Sequence, residues 1–381
     1  MKADIFEDLF VLEMANNHLG KLERGLAIVD KFSKIIRFNN VRAAIKIQLR
    51  DVNTLIHADF RQRSDIRYIK KTLQTAMSTD DYTALITAIR KGGAITCATP
   101  FDESSVDLCV TLGVQVVKLA SSDLNDWFLI EKIASTRKPV IASTGGSSLK
   151  DIDDLVKFFE NRNIPLAINH CVSLYPTEDS ELEMNQIDFL RARYPDVTVG
   201  FSSHEYHTWD ASMYIAYAKG ARTFERHIDI EDDGIKISPY CSNPAQVDTW
   251  FKAFRKAKEM SGGGAETKRI PPVAEVKYLD ALVRGIYAKR DLPVGTPLTE
   301  DDVYLAIPLL KGQLSCRELM RGELLLHAIK KDAPIYIDNI DSPYSYSEDL
   351  KRTIYQRGLD PQAGEDPAAK GSKGIDQSNK S

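Results

Sequence analysis

Two histidines, His204 and His227, each end an apolar run of this chain, at residues 197–204 and 221–227. Such runs are typical of parallel strands buried on both faces, so we expect both imidazoles at strand C-termini. Two neutral imidazoles that meet at one sheet edge can supply part of the ligand shell of a divalent metal ion. Each histidine could instead be an unrelated core or surface residue, as single histidines often are. Their equivalent positions on two strands favour the metal interpretation.

Two lysines, Lys46 and Lys118, lie inside strand-like runs, where a charged side chain is costly unless it has a partner. Hydroxyl side chains occupy similar positions on the neighbouring runs: Thr99, Ser121, Ser143 and Ser202. Two ammonium groups among several hydroxyls suit a bound phosphate, to which the Gly145-Gly146 turn can add backbone N–H donors. Each lysine could instead pair with a core carboxylate such as Glu13, or could form a Schiff base with a carbonyl substrate. A metal ion would already polarise a carbonyl, so the Schiff-base alternative is less attractive.

Glu13 and Asp123 are the candidate carboxylates. Glu13 lies near the end of the first strand-like run, and Asp123 follows the run that contains Lys118. Carboxylates at such positions can orient sugar hydroxyls or transfer protons. Either residue could instead serve as an ion-pair partner, and both interpretations stay open here.

Eight short β-rich runs, alternating with longer amphipathic stretches, would position these side chains. The predicted strands are residues 8–14, 43–48, 94–98, 115–119, 139–143, 166–170, 197–202 and 222–227. Helical periodicity occupies much of the chain between them, including residues 22–37, 82–91, 103–112, 149–161 and 211–218. Eight βα units predict an α/β fold of the (β/α)8 barrel type, in which active sites lie at the C-terminal ends of the strands.

The pattern changes after residue 262, and the predicted barrel domain therefore covers residues 1–262. A linker rich in glycine and proline follows at 263–283, and a small β-rich domain is predicted at 284–343. The polar segment 344–381 is predicted to be a disordered tail.

The composition is that of an ordinary globular enzyme. The 381 residues are 43% hydrophobic and carry a net charge of −4, which provides no long-range attraction for nucleic acid or an anionic membrane. No stretch reaches the roughly 18 apolar residues of a membrane span, and the N-terminus lacks a signal-peptide core. Five cysteines without a CxxC pair favour free thiols and a cytoplasmic location.

Taken together, these segments resemble the sialic acid synthase (N-acetylneuraminate synthase) family, which condenses phosphoenolpyruvate with an acylamino sugar to give a nine-carbon ulosonic acid. The similar segments keep their order along the chain: LEMANNHLG (12–20), AIKIQ (44–48), 98–123, IASTGGSSL (141–149), HCVSLYPT (170–177), VGFSSH (199–204) and FERH (224–227). Residues 284–341 resemble the antifreeze-like (SAF) domain at the C-terminus of that family. The resemblance implies a domain-swapped homodimer in which the small domain caps a barrel.

The resemblance also implies roles for single residues. His204 and His227 match the positions that bind Mn²⁺ or Mg²⁺, and Glu13 matches an acid at the reacting centre. Tyr175 matches a residue that contacts the substrate. The residues that match the phosphoenolpyruvate site are Lys46, Thr99, Lys118, Ser121, Ser143 and Ser202, and Ser173 occupies a further position of that site.

Several positions depart from the family pattern, mostly on the sugar side. Asp123 stands where the family commonly has Glu, and Ser173 stands where Asn is frequent. Residues 228–238 lack the usual Pro-Gly-Pro-Asp segment, and residues 307–312 lack an Arg-Pro-Gly-Asn-Gly stretch. We therefore predict the same metal-dependent condensation, with an acceptor sugar similar to N-acetylmannosamine but not identified. One alternative is a non-catalytic sugar-binding barrel. The other is a synthase of a shorter ulosonic acid, and the presence of the C-terminal domain argues against this second alternative.

Overall fold

A computed structural model describes residues 5–207, 209–231, 234–263, 267–318 and 322–360 of the chain. The chain divides into two compact units, Met1–Gly262 and Gly263–Ser381. No helix among the described residues is both long and apolar enough to cross a membrane.

Eight parallel strands form a closed barrel in the first unit. Strands β1 to β8 are Leu9–Ala15, Ala43–Leu49, Ile95–Pro100, Val116–Leu119, Val140–Ser143, Leu166–Cys171, Thr198–Ser203 and Thr223–Ile228. Each strand pairs with the next, and β1 also pairs with β8 to close the barrel. A two-residue strand, β9 (Cys241–Ser242), pairs in parallel with β8. The predicted (β/α)8 barrel is confirmed.

Helices connect the strands and cover the outside of the barrel. Helices α1 to α10 are Leu22–Asn39, Val52–Leu55, Arg67–Gln74, Thr79–Lys91, Glu103–Thr111, Trp127–Ser135, Leu149–Glu160, Gln186–Arg193, Trp209–Ala218 and Pro244–Ser261. Capping boxes begin α4 at Ser78 and α7 at Ser148, because each hydroxyl accepts a backbone N–H of the first helical turn. Packing of α10 is aromatic: Trp250 and Phe251 both contact the ring of Phe10 on β1.

The inward-facing side chains change character along the strands. At the N-terminal end, the barrel is filled by apolar residues that include Val11, Ala44 and Val116. Side chains alternate with a period of two along a strand, so the next inward position on each of these strands lies two residues further on. Those positions are held by Glu13, Lys46 and Lys118. The charged layer therefore lies directly above an apolar layer that closes the barrel.

The second unit is a small β-rich domain. It contains helix α11 (Val273–Ala281), strand pair β10 (Gly285–Ala288) and β11 (Val303–Ala306), and strand pair β12 (Leu324–Leu325) and β13 (Ile340–Asp341). Its core is mainly isoleucine and leucine.

Two boundaries of this unit differ from prediction. The segment predicted as a linker, 263–283, contains α11. Residues 344–360, predicted to be disordered, include helices α12 (Pro343–Tyr346) and α13 (Glu348–Tyr355). Buried Ile354 places α13 in the core of the unit, which accounts for the order of this polar stretch. The rest of the predicted tail, residues 361–381, lies outside the described residues.

Candidate active site

The pairing register gathers the predicted charged residues at one level of the barrel. On β1, Glu13 pairs with Lys46 of β2 on one side and with His227 of β8 on the other. All three side chains lie at the C-terminal half of the barrel, and Glu13 and Lys46 are buried. Closure between the first and last strands thus brings together residues that are more than 200 positions apart in the sequence.

Lys46 and Lys118 share one carboxylate, that of Glu225 on β8. The Lys46 Nζ lies 2.8 Å from Glu225 Oε1 and also contacts Glu13 Oε2. The Lys118 Nζ lies 4.0 Å from Glu225 Oε2 and donates hydrogen bonds to Ser143 Oγ at 2.6 Å and to the Leu119 carbonyl at 3.1 Å. The pairing of a lysine with Glu13, considered above as an alternative to phosphate binding, therefore holds for Lys46. Lys118 has no carboxylate nearer than Glu225 among the described residues.

Burial sets the protonation of this charged layer. It lowers the pKa of Lys118 and raises the pKa of Glu13. Burial also acts to lower the pKa of Lys46, but the carboxylates of Glu13 and Glu225 outweigh this effect and hold the Lys46 pKa above its ordinary value. Burial also opposes ionisation of Glu225, but the two ammonium groups keep its pKa below the usual range. An anion bound beside the two lysines would raise the pKa of both carboxylates. Glu13, whose pKa is already raised, is therefore the carboxylate that would take up a proton.

Glu225 was not predicted as a site residue. Its position two residues before His227 was a usable signal, because alternation along a strand places both side chains on the same side.

The predicted hydroxyls lie around the same layer. Thr99 and Ser202 are buried on β3 and β7, and the Thr99 Oγ1 has no hydrogen-bond partner. The Ser121 Oγ accepts a hydrogen bond from the Gly145 N–H at 3.1 Å. Ser173 is exposed, and a Cβ added to Gly145 would lie only 2.2 Å from the Ser173 Oγ. The turn after β5 thus packs closely against both serines, and a side chain at position 145 would displace the Ser173 hydroxyl.

The two imidazoles meet on the β7–β8 side, with ring centroids 5.4 Å apart. The His204 Nδ1 lies 2.8 Å from the Val172 carbonyl, which favours the tautomer with a proton on Nδ1 and a free lone pair on Nε2. Burial lowers the pKa of His204 to about 4. Burial and the nearby His204 lower the pKa of His227 well below its ordinary value. Both rings are therefore neutral at pH 7.

This pair fits the predicted metal ion in its chemistry. The His227 Nδ1 is buried without a hydrogen-bond partner, and the His204 Nε2 is a free donor atom. Within the described part of the chain, no group of three or more His, Cys, Asp or Glu side chains is arranged to hold a metal ion. The protein would accordingly contribute two imidazole ligands, with the remaining positions left for substrate or water.

A buried ion pair between Arg226 and Glu205 lies next to both histidines. The Arg226 Nη1 lies 3.0 Å from Glu205 Oε1, and both side chains are fully buried. Glu205 directly follows His204 and Arg226 directly precedes His227, so this pair ties the two strand ends together. The sequence signal was a charged residue adjacent to each histidine, and this ion pair was not predicted.

Aromatic rings border the imidazoles. The Tyr175 ring centroid lies 4.1 Å from that of His204, and the Tyr240 centroid lies 5.2 Å from that of His227. The two tyrosines contact each other edge-on at 5.3 Å. Tyr240 was not predicted. It follows the segment in which the expected Pro-Gly-Pro-Asp is missing.

Two acids that follow β4 and β8 have different environments. The Asp123 Oδ2 is buried without a hydrogen-bond partner, and burial raises the pKa of this carboxyl. Asp229 is buried in an ion pair with Arg24 at 2.8 Å. It is thereby engaged with α1. Asp232 and Asp233 lie outside the described residues.

His18 gives the apo protein a testable pH dependence. The ring is 1% exposed, and burial, followed by the charges of Arg50 and Arg24, lowers its pKa to about 4. In the unfolded chain, His18 binds a proton as the pH falls below its ordinary pKa of 6.5. In the folded chain, the same ring stays neutral down to about pH 4. The free energy of unfolding should therefore fall as the pH drops through this window, by about 2 kcal/mol at pH 5 from this residue. Urea denaturation at pH 7.5 and 5 measures the loss.

The variant His18→Gln should reduce this pH-dependent loss. The control is His57→Gln, because the His57 side chain is 71% exposed. Identical pH dependence in the wild type and His18→Gln would contradict the assignment.

Comparisons with known proteins agree with this arrangement. The model of the NeuB family matches residues 40–266, and that of the SAF domain matches residues 283–341, which confirms the antifreeze-like domain. The crystal structure of a putative spore coat polysaccharide biosynthesis protein E from Chromobacterium violaceum superposes with a TM-score of 0.82 at 35% identity, covering 88% of this chain and 100% of that one.

Two curated relatives are more distant. Spore coat polysaccharide biosynthesis protein SpsE of Bacillus subtilis is 26% identical over 360 residues, which cover 88% of this chain and 94% of that protein. N-acetylneuraminate-9-phosphate synthase of Mus musculus is 26% identical over 268 residues, with 70% and 73% coverage.

Proposed function

Because this chain belongs to the NeuB family, we propose that it condenses phosphoenolpyruvate with the aldehyde of an acylamino sugar, giving a nonulosonic acid and phosphate. The observation that carries the proposal is one cluster in the C-terminal half of the barrel, where Glu13 and Glu225 link two buried lysines to two neutral imidazoles. The proposal places the substrate cavity at this cluster. A site that only bound a neutral sugar would have no need of Lys118, whose buried ammonium group reaches its nearest described carboxylate oxygen, Glu225 Oε2, only at 4.0 Å.

Phosphoenolpyruvate would bind on the lysine side of the cavity. Lys118 and Lys46 would neutralise its phosphate and carboxylate, and Ser143 already accepts a hydrogen bond from Lys118. The unpartnered Thr99 hydroxyl can bond to a ligand without losing a bond inside the protein. The Gly145 turn with Ser121, Ser173 and Ser202 would complete this subsite.

The acceptor would bind on the imidazole side, beside Tyr175. A divalent metal ion, Mn²⁺ or Mg²⁺, held there by His204 and His227 would supply Lewis acidity toward the aldehyde oxygen. The protein's own contribution is to hold the phosphoenolpyruvate C3 against the aldehyde carbon, so that the encounter becomes effectively intramolecular.

Bond formation between these carbons is completed when water adds to C2 and phosphate leaves. The water oxygen becomes the C2 carbonyl oxygen. One of the water protons ends on the aldehyde oxygen, which becomes a hydroxyl, and the other ends on the departing phosphate. Glu13 lies between Lys46 and His227 in the strand register and can hold the first proton on its way, and Asp123 would orient acceptor hydroxyls.

A phosphate-release assay tests the proposal. Purified protein is incubated with phosphoenolpyruvate, Mn²⁺ or Mg²⁺, and a panel of N-acetylmannosamine-like, six-deoxy diamino and phosphorylated sugars. Acceptor-dependent phosphate release with a nine-carbon product by mass spectrometry is expected. A shorter product would indicate the shorter ulosonic acid, and sugar binding without phosphate release would indicate a non-catalytic barrel.

Replacing His204 with alanine should abolish turnover, by at least about 10³-fold, since one of two imidazole ligands is lost. Mn²⁺ affinity, followed by electron paramagnetic resonance, should fall in the same variant, while the thermal midpoint stays near that of the wild type. Exposed His57→Ala serves as the control. Full Mn²⁺ binding by His204→Ala would remove this histidine from the metal site.

We also propose that the protein forms a domain-swapped homodimer in the cytoplasm. The cytoplasmic location is supported by the five cysteines, all of which are free. For the dimer, multi-angle light scattering should give twice the chain mass of 42.7 kDa. A mass of one chain across the micromolar range would contradict it.

A further inference from the structure

Arg50 lies at the rim of the barrel, directly after β2 and four residues beyond Lys46. Its guanidinium stacks over the ring of Phe101, 4.0 Å from the ring centroid. Its Nη1 donates a hydrogen bond to the Asn16 Oδ1 at 3.0 Å. Contacts from the loops after β1 and β3 thus hold the planar group in one orientation, although neither contact carries a negative charge.

Arg50 forms no ion pair with any carboxylate of the described residues. The nearest acids act on it only through space: Glu13, Asp123 and Asp102 raise its pKa, but burial outweighs them and lowers it. Glu13 is engaged with Lys46, and Asp102 accepts hydrogen bonds from Ser105 and caps α5. A partly buried cation without a counterion is costly, so this group is poised to gain from an incoming anion.

The Asp123 carboxyl is a second charged group near the rim that forms no ion pair with a described residue. Its Oδ2 is buried without a hydrogen-bond partner, and it lies in the electric fields of both Lys118 and Arg50. Asp123 follows β4, whereas Arg50 follows β2, and no hydrogen bond or ion pair joins the two groups in the described structure. A ligand that spans them must offer an anionic oxygen to Arg50 and a hydroxyl to Asp123.

We propose that Arg50 binds an anionic group, a phosphate or a carboxylate, carried by the acceptor sugar. This inference rests on the proposed function and narrows its substrate class to acidic acylamino sugars. We assign the anionic group to the acceptor and not to phosphoenolpyruvate. The buried Lys46 and Lys118, deeper in the barrel, already match the phosphate and the carboxylate of phosphoenolpyruvate. Arginine suits such a group because its fork of N–H donors binds two oxygens at once.

Steady-state kinetics with matched acceptors test the inference. N-acetylmannosamine is compared with its 6-phosphate and with the corresponding uronic acid, which distinguishes phosphate from carboxylate. We expect at least one acid to exceed the neutral sugar in kcat/KM. Arg50→Met should lower the ratio of acidic to neutral kcat/KM by about 10- to 100-fold, as for other charge-assisted bonds. Arg50→Lys should recover part of the ratio.

The matched control is Arg63→Met, which removes an exposed arginine paired with Asp65. It should leave the ratio unchanged. A wild type that prefers the neutral sugar would overturn the inference. An Arg50→Met variant with an unchanged ratio of acidic to neutral kcat/KM would overturn it as well. So would a variant whose KM for phosphoenolpyruvate rises as much as its KM for the acceptor.

Direct binding separates this inference from the proposed function. If no acceptor supports phosphate release, the condensation fails, but isothermal titration with N-acetylmannosamine 6-phosphate and the uronic acid still measures the subsite. Tighter binding of an acid than of the neutral sugar, lost in Arg50→Met and weakened by salt, would uphold it. Equal binding of each acid by wild type and variant would overturn it.

Discussion

Replacing Lys118 with methionine is expected to lower kcat/KM for phosphoenolpyruvate by about 10²- to 10³-fold, while the free energy of unfolding stays the same or rises. The ammonium group is buried, and its nearest carboxylate oxygen is 4.0 Å away. The folded protein therefore bears a desolvation cost that an isosteric apolar side chain would not have. A bound phosphate would offset that cost, which is why the loss should fall on substrate binding and turnover rather than on folding.

Steady-state kinetics and urea denaturation on the same preparations measure both quantities for Lys118→Met. Lys132→Met is the control, since Lys132 is 35% exposed and pairs with Asp107 on the surface. Its kinetics should match the wild type. A Lys118→Met protein that lost stability together with activity would point to a structural role for the lysine, and one with normal kinetics would exclude it from the site.

Replacing Glu225 with alanine should destabilise the protein by about 3–5 kcal/mol, because it leaves a buried positive charge uncompensated. Lys46 would keep Glu13, but Lys118 would keep only neutral partners, Ser143 and the Leu119 carbonyl. Urea denaturation at pH 7.5 measures the change in the free energy of unfolding. Exposed Glu231→Ala, four positions beyond His227, provides the control.

A double variant distinguishes two causes of the destabilisation in Glu225→Ala: the uncompensated charge of Lys118 and the packing lost with the glutamate side chain. Adding Lys118→Met to Glu225→Ala removes the stranded cation, so the double variant should regain a substantial part of the lost stability. Purely additive losses would mean that the carboxylate of Glu225 does not compensate Lys118.

Alternation along the strands made much of the site predictable. In β1, β2 and β4, apolar Val11, Ala44 and Val116 are followed two positions later by a charged residue, which marks the inward face without knowledge of the fold. Eight such runs with helices between them favour a barrel, and a barrel places its strand C-termini at one rim. Lys46, Lys118 and the two histidines could therefore be assigned to one cavity.

Pairing between distant residues was not predictable in the same way. Glu225 compensates both lysines, and Asp229 pairs with Arg24 on α1, yet nothing near either acid in the sequence indicates these partners. Likewise, the polar stretch around Ile354 looks disordered locally, but Ile354 is buried in the core of the second unit and Tyr344 and Tyr355 pack against it.

The sequence by itself determined the barrel and which side chains face into it, because periodicity is a local property that each strand and helix carries in its own residues. Tertiary structure alone decided which charges are neutralised and which remain open to a ligand. That outcome depends on the closure of β1 against β8 and on distances across the barrel. Lys46 therefore has carboxylate partners, whereas Arg50 at the rim forms no ion pair with any residue that the structure describes.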